Sequence, residues 1–377
     1  MISALTFDTK KDGWETSKGF IKRDIPMPVL DEKKNPKDAL CVILKIEYAG
    51  VCGSDRGIWN RRAFKDLIFS SLKNENKQMR ILGHEFFGEI KEAGSQVNKL
   101  YGLATGDNVS GDSHVTCGNC YQCKIGENNV CTNEAILGIS IDGIFADYVK
   151  IPAKNLWKID NQKVRPEVAA IYDPFGNAVH AVSKVSSKNQ SVAIFGAGPI
   201  GLFSVALQEH FGALKIIVLD INQQNLQMAK KLGADEAILI TSNENAAEKI
   251  KAMTKGVGVD IAMEMAGPLS SVLSALNSAR RGGHVILFGI KDGDFLIPSF
   301  SKIITKGLTL HGVIGRKIFE TWKTSEEVLS DRSNGVQDKI WDVILKKGEG
   351  TIIPFENYKI ENFEKSMQEH PKIIFKF

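Results

Sequence analysis

Apolar residues follow two rhythms along this chain of 377 residues, and the change falls near Asn177. Before it come short strand-like runs at 40–48, 88–93 and 147–151, broken by glycine-rich turns. This pattern predicts an irregular β-rich domain over 1–176. After it, β-rich apolar runs at 191–195, 215–221, 236–240, 259–265 and 284–290 are separated by helical stretches. One helix runs to about 212, and others cover 222–232, 243–255 and 268–281; Asn222 can cap the second and Gly233 can end it. Strands alternating with helices at this spacing predict an α/β domain over 177–314, a doubly wound parallel sheet with helices on both faces. The last stretch, 315–377, is mixed like the first and is expected to return to the first domain.

Bulk composition narrows the partners. Hydrophobic residues make up 43% and charged residues 24%, the balance of a soluble globular protein whose length suits two domains. The net charge is only +4, and Lys and Arg are scattered among Asp and Glu without a basic block, which argues against nucleic acid as a partner. The most apolar stretch, 192–207, falls short of the roughly 20 residues that span a bilayer, so no membrane partner is expected. The N-terminus, MISALTFDTKKDGWE, shows no basic region followed by an apolar run. A cytoplasmic protein is therefore expected, and in a reducing compartment close thiols mean metal rather than disulfide.

Four of the six cysteines, Cys117, Cys120, Cys123 and Cys131, stand in a C-x2-C-x2-C-x7-C pattern. Four thiolates on one loop satisfy a tetrahedral Zn²⁺ with no open position, which makes the metal a structural staple. A fifth cysteine, Cys52, precedes the pair His84-Glu85 by 32 residues. These three can build a second, open zinc site able to polarise an alcohol and lower its pKa. The competing reading makes Cys52 and His84 separate core residues. Cys41 falls in a strand-like run and reads as a small core residue.

Gly196-Ala-Gly198-Pro-Ile-Gly201 follows a predicted strand and opens a helix. Glycines there allow a tight turn and a close approach of pyrophosphate to the helix N-terminus. Asp220 ends the next strand, 19 residues past Gly201, where a carboxylate accepts hydrogen bonds from ribose hydroxyls and repels a 2′-phosphate. NAD is therefore expected over NADP.

Val51-Cys-Gly-Ser-Asp55, Gly83-His-Glu-Phe-Phe-Gly88, the cysteine loop and the glycine motif occur in the order found in medium-chain zinc-dependent dehydrogenases. The resemblance covers nearly the whole chain. Within that superfamily the segments 110–117, 173–180 and 315–322 resemble the threonine dehydrogenases, with sorbitol-type polyol dehydrogenases next. The resemblance implies a GroES-like catalytic domain beside a Rossmann domain, two Zn²⁺ per chain and NAD. It also implies hydride transfer from a small secondary alcohol, L-threonine first and a polyol or sugar as the alternative, and a homo-oligomer, dimer or tetramer; a non-catalytic nucleotide-binding protein is the reading that an intact Cys52, His84 and Glu85 argue against.

By the same resemblance Cys52, His84 and Glu85 hold the catalytic zinc, and Asp173 is a further ligand or a substrate contact. Ser54 receives the alcohol proton. Ile200, Phe288, Gly289, Ile290, Val313 and Ile314 join Gly196, Gly198, Gly201 and Asp220 as cofactor contacts. His114 matches a histidine of the threonine dehydrogenases and either faces the cleft or makes a plain hydrogen bond. His180 reads as a packing residue, and His284 and His311, beside strands of the nucleotide domain, read as non-catalytic.

Three departures stand out. Gly57 replaces the histidine that usually continues the relay from Ser54, leaving water, a ribose hydroxyl or another side chain as the exit. The chain between Arg61 and Arg80 is longer than in the threonine dehydrogenases. Asn225 stands where an arginine often packs near the adenine.

Overall fold

The computed structural model describes residues 1–241, 245–291 and 293–377. They form two units, Met1–Pro174 with Gly348–Phe377, and Phe175–Lys347.

The first unit is organised on the strand Cys41–Gly50, whose Val42, Leu44, Ile46 and Ala49 are buried. One of its edges pairs antiparallel with Glu85–Ala93. The other edge is shared, its first half by Tyr148–Pro152 and its second half by Ile374–Lys376. The C-terminal strand carries Phe375 into a cluster of rings with Phe145 and Phe363, which continues through Phe20 and Trp59. Such ring pairs add about 0.5–1.5 kcal/mol each beyond the area they bury. The long 61–80 segment folds as the helix Lys65–Asn74, which buries Ile68 and Leu72 one turn apart, and then as the strand Met79–Ile81. The buried Arg80 ties this segment down through Glu75, Asp142, Ser71 Oγ and the Ser140 carbonyl. Cys41 lies half-buried at the strand's start, with its thiol directed at the Lys37 carbonyl, so it borders the core rather than filling it.

Among the described residues the second unit holds six parallel strands: β1 (Ser191–Phe195), β2 (Lys215–Asp220), β3 (Glu236–Leu239), β4 (Val259–Glu264), β5 (Ala279–Leu287) and β6 (Thr309–Gly312). Their spatial order is β3-β2-β1-β4-β5-β6. The longer helices between them are α1 (Pro199–His210), α2 (Gln223–Leu232), α3 (Ala246–Met253) and α4 (Leu269–Ser278), and a short one, Ser301–Thr305, precedes β6. The Asn222 side chain caps α2 by accepting from the N–H of Gln224 at 2.8 Å and of Asn225 at 3.2 Å. Gly233 ends it with φ of 120°. Residues 243 and 244 of the expected third helix lie outside the described residues; Asn245 caps α3 through the Glu248 N–H.

Several expectations need correction. Strand β5 begins at Ala279, because Arg280 to Gly283 form an irregularity in the ladder with β4 that hides the strand's start. β6 went unrecognised because it is only four residues long and ends in glycine. The return to the first unit begins at Gly348, not at 315, and the first crossing falls at Pro174/Phe175 rather than after 176. Residues 315–347 stay with the nucleotide unit because Trp322, Val328, Leu329, Val336, Ile340 and Ile344 are buried there. The turns at 336–344 lie against α1 and α2, and Lys339 pairs with Glu209 of α1 at 2.9 Å.

Candidate metal and cofactor sites

Strand pairing assembles the first site. Gly50 lies opposite Glu85 in the ladder, so the residues just beyond these strand ends, Cys52 and His84, meet at the same edge. Ligand atoms of Cys52, His84 and Glu85 lie within 4.8 Å of one another. Cys52 also begins the helix Gly53–Trp59, whose Asp55 accepts the Cys52 N–H at 2.9 Å and stands 3.5 Å from His84 Nδ1. A carboxylate facing Nδ1 favours a proton there and leaves Nε2 for a metal. In the metal-free chain burial opposes a charged His84, yet Asp55 and Cys52 hold its pKa well above the usual histidine value.

Glu85 is fully buried, and its Oε1 has no hydrogen-bond partner among the described residues. Burial pushes its carboxyl pKa up, against the pull of Lys372 and His84, and the charge of Asp173 adds to the rise. A thiol, an imidazole and a buried carboxylate with an unmatched oxygen are a donor set that fits Zn²⁺ with one position open.

Ser54 Oγ lies 3.3 Å from His84 Nε2. Asp173 is buried and accepts the Ser113 N–H at 3.0 Å. His114, next along the chain, holds Glu134 at 2.7 Å through Nδ1. A Cβ at Gly57 would sit 2.8 Å from the Cβ of Ala63, so the long segment crowds any side chain placed there.

The cysteine loop gathers four sulfurs, with Cys131 3.5 Å from Cys117 and 3.9 Å from Cys120. Backbone N–H groups point at them: Cys117 N–H to Cys131 Sγ and Cys120 N–H to Cys117 Sγ, both at 3.3 Å. Donation from the Cys123 and Thr132 backbone pulls Cys120 down to about 5. Burial and the neighbouring sulfurs push Cys123 up to about 12, and a cation bound by such a thiol would release its proton.

The third site lies at the C-terminal ends of the parallel strands, where the sheet order reverses between β1 and β4. Gly196 has φ of 103°, and a Cβ on Gly201 would overlap the Gly196 carbonyl oxygen. Gly198, which precedes α1, faces open space where a phosphate can approach. Ile200 lies in the first turn of α1. Asp220 ends β2 and accepts the Ala197 N–H of the glycine turn at 2.5 Å and the Asn222 N–H at 2.7 Å. Phe288, Gly289 and Ile290 follow β5, and Val313 and Ile314 follow β6, at the same edge of the sheet. His180 is buried and bonds the Gly315 carbonyl at 3.0 Å, while His284 and His311 face each other at 3.2 Å on β5 and β6.

Sequence reasoning assigned no role to Asp55, Arg56, Glu134 or Lys372. Asp55 alone carried a local signal, an acidic residue three positions after a candidate ligand that also starts a helix.

Residues 38–161 match the family described as alcohol dehydrogenase GroES-like domain, and residues 199–331 match zinc-binding dehydrogenase. An L-threonine 3-dehydrogenase of Bacillus subtilis is 34% identical over 85% of this chain and 86% of its own length. One from Shewanella baltica is 36% identical over 82% and 84%. A solved alcohol dehydrogenase from Escherichia coli CFT073, in complex with NADH, superposes over 100% of this chain and 99% of its own with a TM-score of 0.75 at 27% identity.

Proposed function

The chain belongs to the zinc-binding alcohol dehydrogenases, and from that premise we propose that it oxidises the secondary alcohol of L-threonine with NAD⁺. The products would be 2-amino-3-oxobutanoate, NADH and a proton. Zinc and a nicotinamide dinucleotide are the cofactors typical of the family. The observation that carries the substrate is the likeness to L-threonine 3-dehydrogenases over more than four-fifths of the chain.

In this reading Cys52, His84 and Glu85 hold the working metal, and the four-cysteine loop holds a structural one. Zinc in an open site supplies a Lewis acid that favours loss of the hydroxyl proton. Ser54, two residues beyond Cys52, would accept that proton while passing its own to solvent or a ribose hydroxyl, because Gly57 has no side chain to continue the relay. Asp55 keeps the His84 ring in one tautomer. Asp173, fixed by the Ser113 N–H, presents its carboxylate to the substrate's ammonium or to the metal. Asp220 and the glycine turn bind NAD⁺ in preference to NADP⁺. Around the edge strand β6, Leu296, Phe300, Ile304 and Leu310 are exposed, and a second copy of the chain would cover them.

NADH formation by zinc-replete protein tests the substrate, with L-threonine run beside sorbitol, glucose and 2,3-butanediol. Saturable turnover of L-threonine well above the others supports the proposal. Turnover of a polyol or sugar alone would overturn the substrate and leave the mechanism. Light scattering of a Leu296→Glu, Ile304→Glu variant tests the assembly, which should fall to monomer.

A further inference from the structure

Lys372 is a fully buried lysine beside the open site. Its ammonium contacts Glu85 Oε2 and donates to the Val51 carbonyl at 3.0 Å, with both charged side chains removed from water. The C-terminal segment that delivers it is clamped under the site. Arg56 donates to the carbonyls of Met367 and His370 at 2.8 Å and of Pro371 at 2.9 Å, and the Val51 N–H donates to Ile373 at 3.1 Å. Gly50 leaves the room the pair needs, because a Cβ there would overlap Glu85 Oε2. The other carboxylate oxygen, Oε1, has no hydrogen-bond partner among the described residues.

We infer that Lys372 is a positioning residue that stands in for the metal's charge at Glu85. It neutralises the buried carboxylate when zinc is away, and it reserves Oε1 for zinc by occupying Oε2. This rests on the zinc reading of Cys52, His84 and Glu85. A buried ion pair adds little net stability, whereas a buried carboxylate left alone is strongly destabilising. With zinc in place Glu85 has a second cationic partner, and the ammonium and the metal repel each other. The lysine is therefore worth more to the metal-free chain than to the loaded one. Linkage then makes its removal tighten zinc binding.

The test compares wild type, Lys372→Met, Glu85→Gln and the double variant. Thermal unfolding is followed with and without zinc, and zinc retention is titrated against a chelator. Lys372→Met should lower the Tm of metal-stripped protein more than that of loaded protein and raise zinc retention by about tenfold. Adding Glu85→Gln should restore part of the lost metal-free Tm, since a neutral amide needs no counter-charge. Equal losses in both states with unchanged retention, or no rescue by Glu85→Gln, would overturn the inference. If Lys372→Met folds in neither state, the double variant decides: recovered folding supports the inference, and none overturns it. A Cys120→Ser protein that binds no zinc at all would instead sink the metal reading itself.

Discussion

Asp220→Asn should erase most of the preference between the two nicotinamide dinucleotides. Each oxygen of Asp220 already serves one backbone N–H, from Ala197 at 2.5 Å and from Asn222 at 2.7 Å, so the carboxylate is fixed at the end of β2. Its remaining lone pairs are what a ribose diol would use. An amide keeps one acceptor and can serve only one of those two N–H groups, which costs about 1 kcal/mol of stability. Losing charge-assisted bonds to the ribose costs NADH about 1.4 kcal/mol, or about tenfold in affinity. Two unit charges 4 Å apart repel by about 1 kcal/mol in water and about 4 kcal/mol near a protein surface, and this site is half-exposed. Relief of that repulsion should strengthen NADPH by about tenfold, so the selectivity ratio falls about a hundredfold. Fluorescence titration of NADH and NADPH measures both constants without a substrate. A ratio within about twofold of wild type, in a variant whose Tm has dropped only slightly, would refute the role given to Asp220.

Three further outcomes follow from particular contacts. Asp260 accepts from Ser191 N–H at 2.8 Å, Ser191 Oγ at 2.6 Å and Arg280 Nε at 2.6 Å; burial works against its charge, but these bonds hold its pKa below the usual value. A depressed carboxyl stabilises the fold above its unfolded pKa of about 3.9 and loses that contribution as pH falls through the folded value. Asp260→Asn should therefore cost about 1–2 kcal/mol in urea unfolding at pH 7, with the gap from wild type closing below about pH 4. Cys120→Ser should cut zinc content by one ion per chain in elemental analysis and lower Tm, while leaving NADH binding intact. Gly57→Ala, which drives a Cβ against Ala63, should lose about 1–3 kcal/mol in denaturant unfolding, and Ala63→Gly added to it should restore most of that.

What could be read from the chain depended on how far apart the cooperating residues lie. The four cysteines and the glycine turn declare themselves because each set is local, and spacing alone limits what it can build. Asp220 was legible because it ends a strand that follows the glycine motif at a fixed interval. Cys52 and His84-Glu85 are separated in sequence but share a ladder in which Gly50 faces Glu85, a register the alternation of residues does not reveal. Lys372 was invisible, since 287 positions separate it from Glu85 and only the returning strand brings it close. Gly57 could be seen in the sequence, but its crowding by Ala63 required the fold. The segment 315–347 misled because its apolar residues carry no mark of which core they enter.

Isotope transfer tests the central claim most directly. Zinc-loaded protein is given NAD⁺ and L-threonine deuterated at C3, and the reduced cofactor is weighed by mass spectrometry. The account predicts that the deuterium appears in the cofactor with wild type and is lost when His84 becomes alanine, although that variant still binds NADH. NADH formed without the label, or label transferred equally well by His84→Ala, would contradict it.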